Sequence, residues 1–449
     1  MSRVDAQSRV AHKPAARKVP ADLDDVEFVL LGFPDVNGSL RGKAMRPEAF
    51  ESALRHGAAM TDLLLGLDPV DMPIADYERF GIRSGAADLI VHPDPTTLHA
   101  LTWRPGWRVC LGTPSWPDGS PRELASREVL RGALAQMTEI GYEVFAAVEY
   151  EIRVRDANGP VSSGISYSLS EVSALDGFLI ALRPALDALG VELTAAHTEA
   201  APGLLELNLA ARPALQAADD AAYTKFAVKG VAASMGMQAS FLAKTAAGEE
   251  GSSGHLHLSC WRDGLNAFAS DESQQGALPH AMESAIAGVL EHLPAASLLL
   301  NPTINSYKRL VPGYFAPTNV SWGLENRSAA VRAIRSSLPE LCRLECRRPG
   351  ADANPYLALA AIVISAADGL RRGAKAPDPV EGDAYSRSDL AMLPGSLEAA
   401  LSAFESDEMF REGLGERFSD YYATSRRWEL KAWQETVTDW ERNRYERSV

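Results

Sequence analysis

Four segments of this chain alternate between apolar and polar residues, and most of the polar positions are Glu, His or Arg. In VFAAVEYEIRV, Val148, Tyr150 and Ile152 alternate with Glu149 and Glu151. In LLELNL, Leu205, Leu207 and Leu209 alternate with Glu206 and Asn208. GSSGHLHLSC sets Leu256, Leu258 and Cys260 against His255, His257 and Ser259, and CRLECRR sets Leu344 and Cys346 against Arg343, Glu345 and Arg347. Successive strand residues point to opposite faces, so each segment presents one apolar and one polar face. The polar face of an antiparallel sheet is ordinarily just solvated. Here it carries Glu, His and Arg and almost nothing neutral and flexible, which predicts a curved sheet whose concave face is a site.

His197 and Glu199 precede the second segment, so five glutamates, 149, 151, 199, 206 and 345, converge on that face. Carboxylates this close repel by several kcal/mol per pair when dry, so they need cations. Carboxylate oxygens with one imidazole suit a hard divalent ion, Mg2+ or Mn2+, and no Cys/His cluster points to zinc. Two ions would divide this donor set evenly, and paired ions of that kind clamp phosphoryl groups. Nearby arginines would meet phosphate and carboxylate oxygens in bidentate fashion.

The 449 residues allow more than one domain. A net charge of −15 argues against non-specific binding to nucleic acid or an anionic membrane surface. The four cysteines form no CxxC pair, which fits reduced thiols and a cytoplasmic setting. No apolar run approaches the ~20 residues of a membrane span. Residues 1–23 are basic, lack a secretory h-region and are expected to be a disordered tail. Residues 24–120 read as a small mixed domain, with a hairpin at Asn37-Gly38 and a helix ending at Gly57. The turn-rich SWPDGSPR seam (115–122) sets the boundary to a second domain over 121–449. Helices are expected near 171–189 and 214–235, at 278–301 with a break at Pro294, and at 354–370 with an end at Gly369. Strands and helices mix without strict βαβ alternation, so the fold class is α+β.

NPTINSYKRLVPGYFAPTNVSWGLENRSAAVRAIR (301–335) is a long Pro- and Gly-punctuated segment carrying Lys308, Arg309, Arg327, Arg332 and Arg335. A loop of that length with this aromatic content reads as functional. With GSSGHLHLS, ENRSAAVR, LECRRPGADANPYLALAA, VEYE, HTEAAPGLLEL and PDVNGSLRGK, in that family's order over about 25–445, it resembles the glutamine synthetase superfamily.

The resemblance implies a small N-terminal β-grasp-like domain and a large catalytic domain with a curved antiparallel sheet flanked by helices. It implies a homo-oligomer, a dodecamer of two hexameric rings with sites between subunits. It also implies roles. Glu151, Glu199 and Glu206 match the ligands of one metal, and Glu149, His255 and Glu345 those of the other. His257, with Ser259, matches the residues that meet the nucleotide, and Arg343 lies near it. Arg309 and Arg347 match the arginines that hold glutamate, and Arg327 and Arg332 those that stabilise the transferring phosphoryl group. The implied reaction uses ATP and Mg2+ (or Mn2+) to make a γ-glutamyl phosphate that an amine then attacks.

Two features depart from the ammonia-using members. Their flap motif PGYE, whose glutamate handles ammonium, reads PGYF here, with Phe315. Their FDGSS segment is absent, and Asp62 or Asp68 are the aspartates of the corresponding region. A pocket walled by Phe315 and Trp322 suits an alkyl or aryl amine, and a short monoamine or amino alcohol over a polyamine. The pattern resembles the γ-glutamyl-amide ligases, which join glutamate to amines other than ammonia. The alternatives are a glutamine synthetase using ammonia and a catalytically inactive scaffold or regulator; intact metal carboxylates speak against the latter. GDAYSRSDLAML does not reproduce the adenylylation loop of some members, so no such control is expected at Tyr385.

Overall fold

The structure is a computed structural model and describes residues 23–120, 123–269 and 278–449. Of the expected disordered tail 1–23, residues 1–22 lie outside that range, as do residues 121–122 at the expected domain boundary.

Two sheets organise the chain. The first contains β1 (Phe28–Pro34), β2 (Leu40–Met45), β3 (Ala58–Thr61), β4 (Asp88–Pro93), β5 (His99–Ala100) and β6 (Trp107–Ser115). Its order is β2-β1-β6-β4-β3, with β5 against β6. β1 and β6 are parallel while their outer neighbours are antiparallel. The helix Pro47–His56 buries Phe50 and Ala53 against this sheet. This is the expected β-grasp-like arrangement, and the Asn37-Gly38 turn closes the β1–β2 hairpin with Gly38 at φ 81°.

The second sheet contains β7 (Glu143–Asp156), β8 (Gly159–Pro160), β9 (Leu193–Thr198), β10 (Leu204–Leu209), β11 (Arg212–Pro213), β12 (Gln238–Ser240), β13 (Gly254–Arg262), β14 (Leu265–Asn266), β15 (Trp322–Leu324), β16 (Val331–Ile334) and β17 (Arg343–Cys346). Its main path runs β15-β16-β17-β13-β7-β10-β9. Every pair on that path is antiparallel except β15–β16. Val148, Tyr150, Ile152, Leu205, Leu207, Leu256, Leu258, Cys260, Leu344 and Cys346 are all buried on its apolar side. The helices Ser126–Glu139 and Ala214–Ser234 pack on β7, and His280–Leu300 packs on β17. The whole is the expected α+β fold with a curled sheet flanked by helices.

Three local expectations need correction. The helix His280–Leu300 continues through Pro294. A proline inside a helix costs about 3 kcal/mol, and here burial of Leu293, Leu298, Leu299 and Leu300 offsets it. The helix Pro355–Arg372 continues past Gly369 to a left-handed cap at Gly373. Gly369 instead makes room for Gly288, because a Cβ on Gly369 would stand 2.1 Å from Ser284 O. The helix expected at 171–189 is two, Leu169–Ser173 and Asp176–Ala188, joined at Ala174 and Leu175.

Candidate active site

Register brings the charged faces together. Glu149 on β7 stands opposite His255 on β13 and Asn208 on β10. Glu206 stands opposite Glu151 on one side and His197 on the other. Glu345 on β17 stands opposite His257 on β13 and Arg332 on β16. Directly opposed residues share a face with Cβ atoms about 4.5–5.5 Å apart, so four strands of alternating sequence become one continuous polar wall.

That wall lines a cleft of about 830 Å³. Glu149, Glu151, Glu199, Glu206, His255, Arg309, Phe315, Arg327, Arg332, Glu345 and Arg347 all face it. Glu345, only 1 % exposed, is a hub. It accepts a hydrogen bond from Arg332 Nη1 at 3.1 Å and a short one from Arg347 Nη1, and His255 Nδ1 lies 3.4 Å away. Burial pushes the Glu345 carboxyl up, but Arg347 and the two imidazoles outweigh it and bring it down to about 2. Burial likewise opposes ionisation of Glu149, and His257 and His255 hold it well below the usual carboxylate range. His257 Nε2 lies 3.0 Å from Glu149, and its Nδ1 accepts a hydrogen bond from Arg343 Nε at 3.0 Å.

At the other end His197 bridges Glu199 at 3.2 Å and Glu206 at 3.1 Å. Burial alone would lower its pKa; the two carboxylates reverse this and raise it to about 10. Tyr167 stacks on the His197 ring, centroids 4.0 Å apart and planes 20° from parallel. Its loop is pinned to β9 by Tyr167 N–H to Thr198 O at 2.8 Å. Glu151 accepts from Ser253 N–H at 2.7 Å.

On this wall three sets of donors lie within 4.8 Å of one another: Glu149, His257 and Glu345; Glu149, Glu206 and His255; His197, Glu199 and Glu206. Carboxylate oxygens with few imidazoles are the donors a hard divalent ion takes, so this wall could hold such ions.

Arg309 is buried and donates to the carbonyls of Arg348 and Arg347. Gly251 lies on its stem, where a Cβ would meet Arg309 Cγ at 2.6 Å. Phe315 sits at the cleft mouth, 54 % exposed and at φ 51°. Trp322 does not join it. On β15 it pairs with Val331, on the apolar side, and it is 5 % exposed with its Nε1–H on Pro377 O. Ser259 lies one step beyond His257 on the same face, where its Oγ accepts from Trp261 Nε1–H. Asp62 is bonded to Gly81 N–H and Ser84, and Asp68 to Val70 N–H, Met72 N–H and Trp428, and neither lines the cleft.

Tyr167, Glu250, Ser166 and Tyr314 line the cleft without having been expected there. Each comes from a loop, where no periodicity marks a face. His197 was visible beside Glu199, but its bridging position needed the β9–β10 register.

Residues 123–445 match the family model for the glutamine synthetase catalytic domain. The chain belongs to the glutamine synthetase family. Over 438 residues, 94 % of the chain and 95 % of the relative, it is 35 % identical to a glutamate–isopropylamine ligase of Pseudomonas sp.. It is 34 % identical to a γ-glutamylethanolamide synthetase of Streptomyces coelicolor (94 % and 92 % covered) and 33 % identical to a glutamine synthetase of Thermus thermophilus (94 % and 96 %). Among solved structures it superposes on ligand-free GmaS with a TM-score of 0.83 and 29 % identity, covering 94 % of this chain and 97 % of that one. Glutamine synthetase family enzymes are ligases that use ATP and divalent metals. No helix among the described residues is long and apolar enough to cross a membrane.

Proposed function

We propose that this family member joins the γ-carboxylate of glutamate to an amine other than ammonia, using ATP and passing through γ-glutamyl phosphate. The observation that carries this reading is Phe315, an exposed ring at the cleft mouth where ammonia-using members have a glutamate. A phenyl ring can neither bind ammonium by charge nor take its proton, but it accommodates an alkyl group. The similarity to two glutamate–amine ligases supports it.

The residue roles follow the same reading. Glu151, Glu199 and Glu206 would hold one divalent ion, and Glu149, His255 and Glu345 would hold a second. Such ions, when bound, supply positive charge for phosphoryl oxygens. His257, Ser259 and Arg343 meet the nucleotide. Arg309 and Arg347 hold the α-carboxylate of glutamate. Arg327 and Arg332 meet charge that builds on the transferring phosphoryl group, which is catalysis by preorganised electrostatics. Arg332 is already oriented by Glu345 and Glu325 and needs little reorganisation.

A second reading, use of ammonia, draws on the 33 % identity to a glutamine synthetase. One assay separates them: phosphate release from glutamate, Mg2+ and ATP with ammonia, methylamine, ethanolamine, isopropylamine, aniline or putrescine. The proposal expects an organic amine to give the highest kcat/KM, and Phe315→Glu to gain ammonia use. A wide margin for ammonia in the wild-type protein would overturn it.

A further inference from the structure

We propose that Asn326 is a positioning residue that sets Arg327 toward the transferring phosphoryl group, an inference that rests on the role given to Arg327 above. Four arginines are assigned to substrate there: Arg309, Arg327, Arg332 and Arg347. Three are held by hydrogen bonds. Arg309 donates to the carbonyls of Arg347 and Arg348, Arg332 to Glu345 and Glu325, and Arg347 to Glu345. Arg327 faces the cleft and is exposed. Among the described residues no hydrogen bond or ion pair reaches its guanidinium. A long side chain with no partner of its own keeps its rotamer freedom and is aimed by the backbone that carries it.

That backbone is the turn 325–330 between β15 and β16, and it is fastened to an irregular strap, residues 377–384. Asn326 makes the fastening. Its Nδ2 donates to Val380 O at 2.9 Å and to Gly382 O at 2.8 Å. Its Oδ1 accepts from Ser328 N–H at 3.0 Å and from the Ser328 hydroxyl at 2.7 Å. One amide thus uses both of its donors on the strap and its acceptor on the far side of Arg327. Ser328 completes the closure, because its Oγ accepts from Ala384 N–H at 2.9 Å.

The strap is itself anchored. Trp322 Nε1–H donates to Pro377 O at 2.7 Å, Val380 N–H to Trp322 O at 2.8 Å, and Asn319 Nδ2 to Ala384 O at 2.7 Å. Ala329, Val380 and Ala384 form a small buried apolar cluster of their own. Gly323 permits the close approach, since a Cβ there would stand 2.7 Å from Val380 O and 2.8 Å from Asn326 Cβ. Neither Asn326, Ser328 nor any strap residue lines the cleft, so their effect on the reaction runs through Arg327. A guanidinium that meets charge developing in the transition state works only when it is placed beforehand, and a displacement of about 1 Å costs up to about a hundredfold in rate.

The test is a double-mutant cycle in steady-state phosphate release, run with whichever amine the wild-type protein uses best, ammonia included. Asn326→Ala is expected to lower kcat about tenfold or more while the glutamate and ATP KM values stay within about threefold. Arg327→Ala alone lowers kcat about a hundredfold or more. Adding Asn326→Ala to it lowers kcat by no more than about twofold further, because the turn then has nothing left to aim; a merely structural Asn326 would cost the same in both backgrounds. Asn326→Asp, which keeps the acceptor for Ser328 and loses both donations to the strap, goes through the same cycle with the same expected result. Wild-type kcat in both Asn326 variants, or an equal loss with and without Arg327, would overturn the proposal and leave the ligase reading standing. Wild-type kcat in Arg327→Ala would instead overturn the role given to Arg327, and this proposal with it.

Discussion

At the scale of single residues, Glu345 carries the most. It sits under two guanidiniums and beside His255 with almost no exposure. Removing one partner of a buried ionic network leaves unpaired charge and costs about 3–5 kcal/mol. Glu345→Gln is therefore expected to lose stability of that order in urea melts, along with activity; a loss under about 1 kcal/mol would show that the carboxylate is no hub. The alternation of Arg343, Glu345 and Arg347 made this residue legible in the sequence. Trp322 was misread because β15 pairs in parallel with β16 and turns the indole toward Val331, and a three-residue strand is too short to show a period. Away from the site, His292 lies 2.8 Å from Asp407 and 3.1 Å from Asp368, which also binds Arg372, itself paired with Glu291. Burial lowers the His292 pKa, but the two aspartates outweigh it and raise it above 6.5. Its stabilisation is thus fully present below the unfolded value of 6.5 and is lost as pH rises through the higher folded value. The melting-temperature advantage of wild type over His292→Gln should shrink from pH 6 to pH 9; a constant difference would contradict the assignment.

At the scale of elements, the helix pair His280–Leu300 and Pro355–Arg372 shows what local signals miss. Proline and glycine punctuate isolated helices, so Pro294 and Gly369 read as ends. Both helices are buried along nearly their whole length, and packing overrides the local preference. A Cβ on Gly288 would stand 2.2 Å from Ser365 O and 2.7 Å from Gly369 N. Alanine in a helix interior gains about 1 kcal/mol over glycine, while overpacking a core costs about 1–3 kcal/mol; contact with rigid backbone makes the second effect win. Gly288→Ala is expected to lower the denaturation midpoint without changing the m-value. Gly132→Ala, in the helix Ser126–Glu139 with nothing within 4 Å, should raise it. Reversal of the two signs would refute the close approach. The strands were more legible. β10 spans Leu204–Leu209 and so covers the whole alternating run from Leu205, because burial of one face defines a strand pattern as well as its packing.

At the scale of the whole molecule, the site is assembled from segments far apart in sequence. The sequence shows that β7, β10, β13 and β17 each have a charged face, but not that Glu149 stands between Asn208 and His255. Pairing across a hundred residues depends on tertiary assembly that no local pattern reports. The loops that close the cleft, with Tyr167, Glu250 and Tyr314, were silent for the same reason. The N-terminal sheet is tied to the rest by polar contacts: Asn354 donates to Asp35 O at 3.0 Å, Arg426 to Asn37 Oδ1 at 2.8 Å, and Tyr77 to Tyr421 O at 3.0 Å. They tie the segment around the Asn37-Gly38 hairpin and Tyr77 to the C-terminal part of the chain.

The central claim is that the polar wall is a two-ion site for activating an acid with ATP. Manganese titration read by electron paramagnetic resonance, with a non-hydrolysable ATP analogue present, tests it most directly. Two Mn2+ per chain are expected in the wild-type protein, with one lost in Glu345→Gln and the other in Glu199→Gln. No Mn2+ bound above background, or binding indifferent to both substitutions, would contradict the account.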